Sequence, residues 1–358
     1  MIIRLRKPDG EYSIYLIPVY LYDEQYCILV SVIEIIFYAL CAYVAFFNLK
    51  TFLKIRMFHQ NFIILAIPMF GLWYEVIIGK FITMAYQLEL LTPKVKMNNF
   101  HALWTKNEDK MVTLESLEGL ELLLLAGFIQ WHYLFSVIYG SIAHCVERTI
   151  ASLLIDNYET NSQLYIPFAL TFTTQFLAIS TSYAVLFDKV DIIILNILWM
   201  STCVISLGLF FWLKRTNEKW LQEMESPYRK RSFTVSQRFQ VKENIRALKL
   251  GKRLVFSVLG TMAFCGTGII LVIQEWIPQF LCHFVENGVL LNPLWICPVF
   301  MYSLPTWREQ FNKAFPSFSW IKRERKLGVM NVEKVEDVKK RISMETDVHF
   351  IQLNEFWT

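Results

Sequence analysis

The chain has 358 residues, of which 55% are hydrophobic, 16% aromatic and only 18% charged, with a mean hydropathy of +0.37. A soluble domain carries about 25% charged residues, whereas here the charges collect between long uncharged runs. This excludes disorder, a coiled coil and a secreted disulfide scaffold, argues against a soluble two-domain enzyme, and the net charge of +4 is too small and too scattered for a nucleic-acid binder.

What remains is an all-α membrane protein. A helix needs roughly 20 apolar residues to cross the hydrocarbon core, and seven stretches meet that length: 27–49, 61–86, 122–145, 164–187, 192–213, 254–273 and 279–305. Residues 1–26 read as a short extracellular tail. They do not make a signal peptide, because Pro8, Asp9, Gly10 and Glu11 interrupt the basic start before any apolar core. The seventh stretch is broken by Glu286 and Pro293. With the N-terminus outside and the C-terminus cytoplasmic, 26 of the 35 Lys and Arg residues fall on the cytoplasmic side, as the positive-inside rule requires.

The loops add detail. The connection Asp188–Asp191 is too short to cover a pocket, and the stretch 87–121 is the one long outer loop. In the loop Lys214–Arg253, Val241, Ile245 and Leu248 recur at helical spacing among Arg238, Lys242, Arg246 and Lys249. That pattern predicts a basic amphipathic helix running into the sixth span, either lying at the anionic inner leaflet or docking a cytoplasmic partner. Ser232, Thr234 and Ser236 follow the basic run Arg229-Lys230-Arg231, and phosphorylation there would switch either contact. After the last span, Thr306-Trp307-Arg308-Glu309 has capping-box spacing, and Trp307, Phe311, Ala314 and Phe315 share one face. A short amphipathic helix, ended by Pro316, is expected there, with a polar tail to residue 358.

No sequence motif supports a metal site, a phosphate loop or a nucleophile elbow, so neither an enzyme activity nor a cofactor is expected. Most of the seven cysteines lie within spans. Cys27 and Cys282 fall near the outer ends of the first and seventh spans, where an external disulfide between them is one option.

Seven spans, an external N-terminus and a basic third loop suggest a G-protein-coupled receptor. At the inner end of the third span, Glu147-Arg148 is similar to the acid–arginine motif of rhodopsin-like receptors. A wider pattern joins Glu147-Arg148 and Ala151-Ser152 with Asp156-Asn157-Tyr158-Glu159-Thr160-Asn161, Arg238-Phe239-Gln240, Lys242-Glu243-Asn244 and Arg246. This pattern, with Tyr302-Ser303-Leu304-Pro305-Thr306-Trp307-Arg308, closely resembles the nematode serpentine receptor class epsilon chemoreceptors, over roughly residues 26–313. The resemblance implies a plasma-membrane receptor, in sensory-neuron cilia, that binds a small-molecule cue and signals to a heterotrimeric G protein through Glu147, Arg148, Arg238, Lys242 and Arg246. Two features depart from rhodopsin-like receptors. No cysteine stands at the outer start of the third span, and Asn292-Pro293 is not followed by the usual tyrosine.

Helix arithmetic then places a pocket. Gln130 precedes Arg148 by five turns, so both share a face, about 27 Å apart, with Leu134, Val137 and Ser141 between them. Gln130 and Leu134 are candidate ligand contacts, or Gln130 makes an interhelical hydrogen bond. Glu34, Glu75 and Glu286 are intramembrane acids that should pair or face water. They line an outer cavity for a polar or cationic molecule, or Glu75 pairs with Lys80. The competing class is a transporter or ligand-gated channel subunit, which the absence of an internal repeat disfavours.

Overall fold

The computed structural model describes residues 2–7, 10–16, 24–55, 58–88, 90–91, 112–114, 116–154, 164–190, 192–226, 233–273, 276 and 281–315. They form two units, Met1–Arg308 and Glu309–Thr358. Most of the second unit, including the expected polar tail, lies outside the described residues; within its described part, the rings of Phe311 and Phe315 pack at 4.7 Å.

The first unit opens with strands β1 (Ile2–Lys7) and β2 (Gly10–Tyr15), followed by helices α1 (Glu24–Lys54) and α2 (Gln60–Gln87). Strand β3 (Val112–Leu114) precedes α3 (Glu121–Leu153), α4 (Tyr165–Leu186), α5 (Ile192–Glu225) and α6 (Val235–Ile273). The last apolar stretch forms α7 (Leu281–Leu290) and α8 (Pro293–Ser303), after which α9 (Pro305–Ala314) runs from the first unit into the second. Among the described residues, five helical stretches are long and apolar enough to cross a membrane: Ile28–Lys54, Gln60–Gln87, Glu121–Leu153, Tyr165–Leu186 and Phe284–Ser303. The other two expected spans, 192–213 and 254–273, fall in α5 and α6, and several of their side chains lie outside the described residues.

Apolar side chains face outward where lipid would lie. On α4, Phe168, Phe172 and Phe176 stand on one exposed stripe, with Phe172 74% accessible. On α1, Ile28, Val32 and Ile36 do the same. Water would not tolerate such stripes on a protein standing alone, whereas hydrocarbon does. The centre of the unit is α3, which packs against α2, α4, α5 and α6. Its antiparallel approach to α2 is close at two points. A Cβ on Gly79 would sit 2.9 Å from Ile129 Cγ2, and one on Gly140 would sit 2.5 Å from Met69 Sδ.

The amino-terminal segment does more than trail. β1 pairs antiparallel with β2 and parallel with β3, in the order β2-β1-β3. Ile14 and Leu16 from the first 26 residues, with Leu114 and Leu120 from the long loop, are buried among α3 and α4 side chains such as Leu123, Trp131 and Val185. The Trp131 indole donates to the Tyr15 carbonyl at 3.0 Å, and the Tyr86 hydroxyl donates to the carbonyl of Gly119, whose φ is 83°. The stretch read as a tail thus supplies strands, and both it and the long loop contribute apolar cover to α3 and α4.

Two helices outrun their apolar stretches. α5 continues to Glu225, where Met224, Trp220 and Leu221 pack with Phe233, Val241 and Ile245 around the start of α6. The basic helix merges with the sixth apolar stretch without a break. Its first turn is fixed by a reciprocal cap: the Thr234 amide donates to Gln237 Oε1 at 2.9 Å, and the Gln237 amide donates to Thr234 Oγ1 at 3.2 Å. The seventh stretch breaks where the sequence places it. Pro293 takes the first position of α8 after Asn292, because a proline there gives up only an amide that the helix leaves unused.

Candidate functional site

Two buried polar clusters stand at opposite ends of the antiparallel pair α2 and α3, one around Lys80 and one around Arg148. An ion inside a helix bundle is stable only if it is paired and hydrogen-bonded. Each cluster meets that condition differently.

At the Lys80 end, the fully buried ammonium lies 2.8 Å from Glu286 Oε1 and 3.4 Å from Glu34 Oε1. Asn287 Nδ2 donates to Glu34 Oε1 at 2.6 Å, and the Tyr38 hydroxyl donates to Asn287 Oδ1 at 2.8 Å. One cation therefore ties α1, α2 and α7. The alternative Glu75–Lys80 pair is not formed. Five residues along a helix turn the two side chains about 140° apart, so Glu75 faces α3 instead and meets His132 Nδ1 at 2.6 Å. The other ring nitrogen of His132 is 2.9 Å from Gln175 Oε1 on α4. Gln130 donates to Thr83 Oγ1 across the α2–α3 contact at 3.2 Å. It thus makes the interhelical hydrogen bond that the sequence left as an alternative.

At the Arg148 end, the guanidinium is held on three sides. Nε and Nη2 donate to the two oxygens of Glu147, both at 2.5 Å. Nη1 donates to Glu243 Oε1 at 3.0 Å and to Asn244 Oδ1 at 3.2 Å, both on α6. The Phe62 ring lies 5.2 Å from the guanidinium carbon, a cation–π distance. Behind this contact, Asn244 Nδ2 donates to Ser152 Oγ and to Asn217 Oδ1, both at 3.1 Å, joining α3, α5 and α6. The His59 amide donates to Glu243 Oε1 at 2.8 Å, so the start of α2 joins the same carboxylate. Burial holds the His59 imidazole below its ordinary range, with Glu243 opposing that shift. Its Nδ1 accepts the Asn61 amide as a helix cap.

The local sequence explains which groups turn inward. On α6, Gln240, Glu243, Asn244, Ala247 and Leu248 recur every three or four residues and are buried, while Arg238, Lys242 and Arg246, four residues apart, are exposed. The three basic residues named from the sequence therefore form a surface, and the polar residues beside them hold Arg148. Sequence reasoning quoted Glu243 and Asn244 only within the family pattern and gave them no role at the site. The signal was present as a polar stripe at helical spacing on a helix already read as amphipathic.

Between the clusters is a cavity of about 250 Å³ reaching from Tyr133 and Asn292 to Arg148. Val137 and Ser141 of the expected stripe line it, whereas Gln130, Leu134, Glu34, Glu75 and Glu286 do not. The helix arithmetic is sound, for Gln130 and Arg148 are both buried on α3, but helices that cross at an angle present different neighbours at different depths. Gln130 meets α2, and Arg148 meets α6. Thr234 is exposed and spends its hydroxyl on the cap, whereas Ser232 and the side chain of Ser236 lie outside the described residues, as do those of Cys27 and Cys282.

Among the described residues, no group of three or more His, Cys, Asp or Glu side chains is arranged to hold a metal. A family model described as "Sre G protein-coupled chemoreceptor" matches residues 1–358. The chain is 48% identical over 348 residues to Serpentine receptor class epsilon-27 of Caenorhabditis elegans, covering 96% of each chain. It is 44% identical to class epsilon-29 of the same organism, over 95% of this chain and 97% of that one. With class epsilon-32, also from Caenorhabditis elegans, it shares 44% identity over the full length of both.

Proposed function

The chain belongs to the Sre family of G protein-coupled chemoreceptors, and from that premise we propose that it converts binding of a small-molecule cue into an opening of its Arg148 end toward a heterotrimeric G protein. The observation that carries this reading is the closed arrangement around Arg148. One guanidinium joins α3 to α6 through Glu243 and Asn244, so separating those helices requires the contact to break. A packed interface of this kind has two discrete states, and a ligand favouring the open one shifts the balance.

The reading takes the apolar stretches of α5 and α6 as two further crossings, which makes seven. It places the N-terminus outside and the C-terminus in the cytoplasm of a plasma-membrane receptor, in keeping with the distribution of basic residues. The Arg148 end then faces the cytoplasm. Exposed Arg238, Lys242 and Arg246 form the surface that meets the G protein, alongside Glu147 and Arg148 once these are released. Phosphate on Ser232, Thr234 or Ser236 would place negative charge beside that surface and weaken the contact. Glu34, Glu75, Glu286 and Gln130 are engaged with neighbouring helices in the closed state, so they enter as framework.

The test needs no cue. In cells expressing the full chain with G protein subunits carrying energy-transfer reporters, Glu243→Ala should raise basal subunit release several-fold over the wild type at equal surface expression. Arg148→Ala should abolish release in both backgrounds. Basal release unchanged by Glu243→Ala, with wild-type surface expression, would overturn the reading.

A further inference from the structure

We propose that the cavity between Tyr133 and Arg148 is a binding site for a neutral, largely apolar molecule carrying one hydroxyl group. The inference rests on the chain being a receptor and names where, and for what chemistry, its cue binds.

The lining sets the class. Met69, Val137, Leu207, Leu254 and Phe300, from five different helices, are among the apolar side chains facing the space. An apolar cavity of roughly 150 Å³ already takes benzene, so about 250 Å³ admits something larger than one ring. Among the described residues of the lining, Arg148 is the one lysine, arginine or carboxylate side chain, and its guanidinium is engaged by Glu147 and Glu243. An anion would find no unclaimed cation, and an ammonium group would leave water for mostly apolar walls.

Polar atoms set the functional group. The lining hydroxyls of Ser141 and Thr202 are satisfied by carbonyls of their own helices, Val137 and Leu198. Three other lining atoms are buried and have no hydrogen-bond partner among the described residues: Ser206 Oγ, Asn292 Oδ1 and His144 Nδ1. The residues Ser206 and Asn292 are 9% and 4% exposed. Asn292 Nδ2 donates to the Tyr133 hydroxyl, which leaves its carbonyl oxygen as an acceptor. A buried polar group without a partner costs about 1–3 kcal/mol, so a guest that satisfies these atoms has an advantage over one that does not. A hydroxyl can donate to Asn292 Oδ1 or exchange a hydrogen bond with Ser206 Oγ, whereas an ether has no proton to donate and a hydrocarbon makes neither bond.

The position links occupancy to the Arg148 contact. Ala247, Leu248, Gly251, Leu254 and Val255 line the space from α6, within three turns of Glu243 and Asn244. A guest that fills the cavity presses the α6 segment adjoining the residues that hold Arg148.

The test uses the full chain in lipid nanodiscs and the photoreactive alcohol 4-(hydroxymethyl)benzophenone, with adducts mapped by mass spectrometry. Saturable adducts on cavity residues, Met69 foremost, are expected. Labelling should fall at least fivefold with the methyl ether of the probe and with Ser206→Ala, and it should vanish with the cavity-filling Ser206→Leu. Benzophenone-4-carboxylate should not label the cavity. Equal cavity labelling by alcohol, ether and carboxylate would overturn the proposal, as would adducts confined to outward residues such as Phe172 and Phe176. The ether and carboxylate arms use the wild-type chain, so a misfolded variant cannot decide the result. Labelling also needs no G protein. A labelled cavity in a chain that never releases G protein refutes the coupling reading and keeps this one, whereas basal release without specific labelling does the reverse.

Discussion

The two buried clusters have the same charges and different architecture. Each sets one cation against two carboxylates inside the helices: Lys80 with Glu34 and Glu286, and Arg148 with Glu147 and Glu243. Lys80 is a compact charge, fully buried, whose partners come from two other helices, α1 and α7. Arg148 is a planar fork that takes one acid from its own helix and one from α6, and it donates to the Asn244 amide as well. Arginine keeps Glu147 if α6 leaves, whereas Glu75, the one acid on lysine's own helix, faces α3 and pairs with His132. The contrast teaches that a buried ion pair is a staple or a latch according to whether its cation keeps a partner after the helices part.

Removing the cation at one end and the α6 amide beside Arg148 at the other should separate these roles. The largest effect is expected for Lys80→Met, which strands two buried carboxylates; breaking such a pair costs about 3–5 kcal/mol. The melting temperature of the purified chain should drop steeply, and Glu286→Gln added to Lys80→Met should recover part of the loss. At the other end, Asn244→Leu removes donors to Ser152 and Asn217 and should cost about 1–3 kcal/mol, read in the same melt, while raising basal G protein release. A stability loss larger than that of Lys80→Met would invert the comparison. Smaller again is Gly79→Ala, whose Cβ would meet Ile129 Cγ2 at 2.9 Å; a shift of the α2–α3 contact by about 1 kcal/mol is expected.

The smallest prediction concerns pH. Burial lowers the folded pKa of His59, so the unfolded chain takes up the proton first. The stabilising contribution is complete above about pH 6.5, the ordinary histidine value, and is lost as pH falls through the folded value. The wild type should lose more thermal stability than His59→Asn between pH 7 and pH 5, by about 1 kcal/mol or less, the scale of one helix cap.

How much of this was legible follows from what is local. Spans are local, because an uncharged run of about twenty residues announces itself, and even the break at Pro293 was visible. The strands were less so. Gly10–Tyr15 alternates and follows Pro8-Asp9, a turn signature, but the third strand of the sheet, β3, pairs with β1 from about a hundred residues away. Partner choice was the least accessible. Lys80 meets Glu286 at a separation of 206 residues, and Arg148 meets Glu243 at 95. Which acid a buried base finds depends on how helices rotate and cross, which spacing along one helix cannot supply. Spacing did put Gln130 and Arg148 on one face of α3, and it set Arg238, Lys242 and Arg246 around the apolar stripe of α6.

The central claim is that Arg148 holds α6 against α3. Spin labels at Leu153→Cys on α3 and Lys249→Cys on α6, both exposed positions, report that separation by pulsed electron resonance once interfering native cysteines are replaced. The account predicts one short distance in the otherwise unaltered chain and a population at longer distance in Glu243→Ala, increased further by bound G protein. An unchanged distribution in Glu243→Ala, with the labelled chain folded, would contradict it.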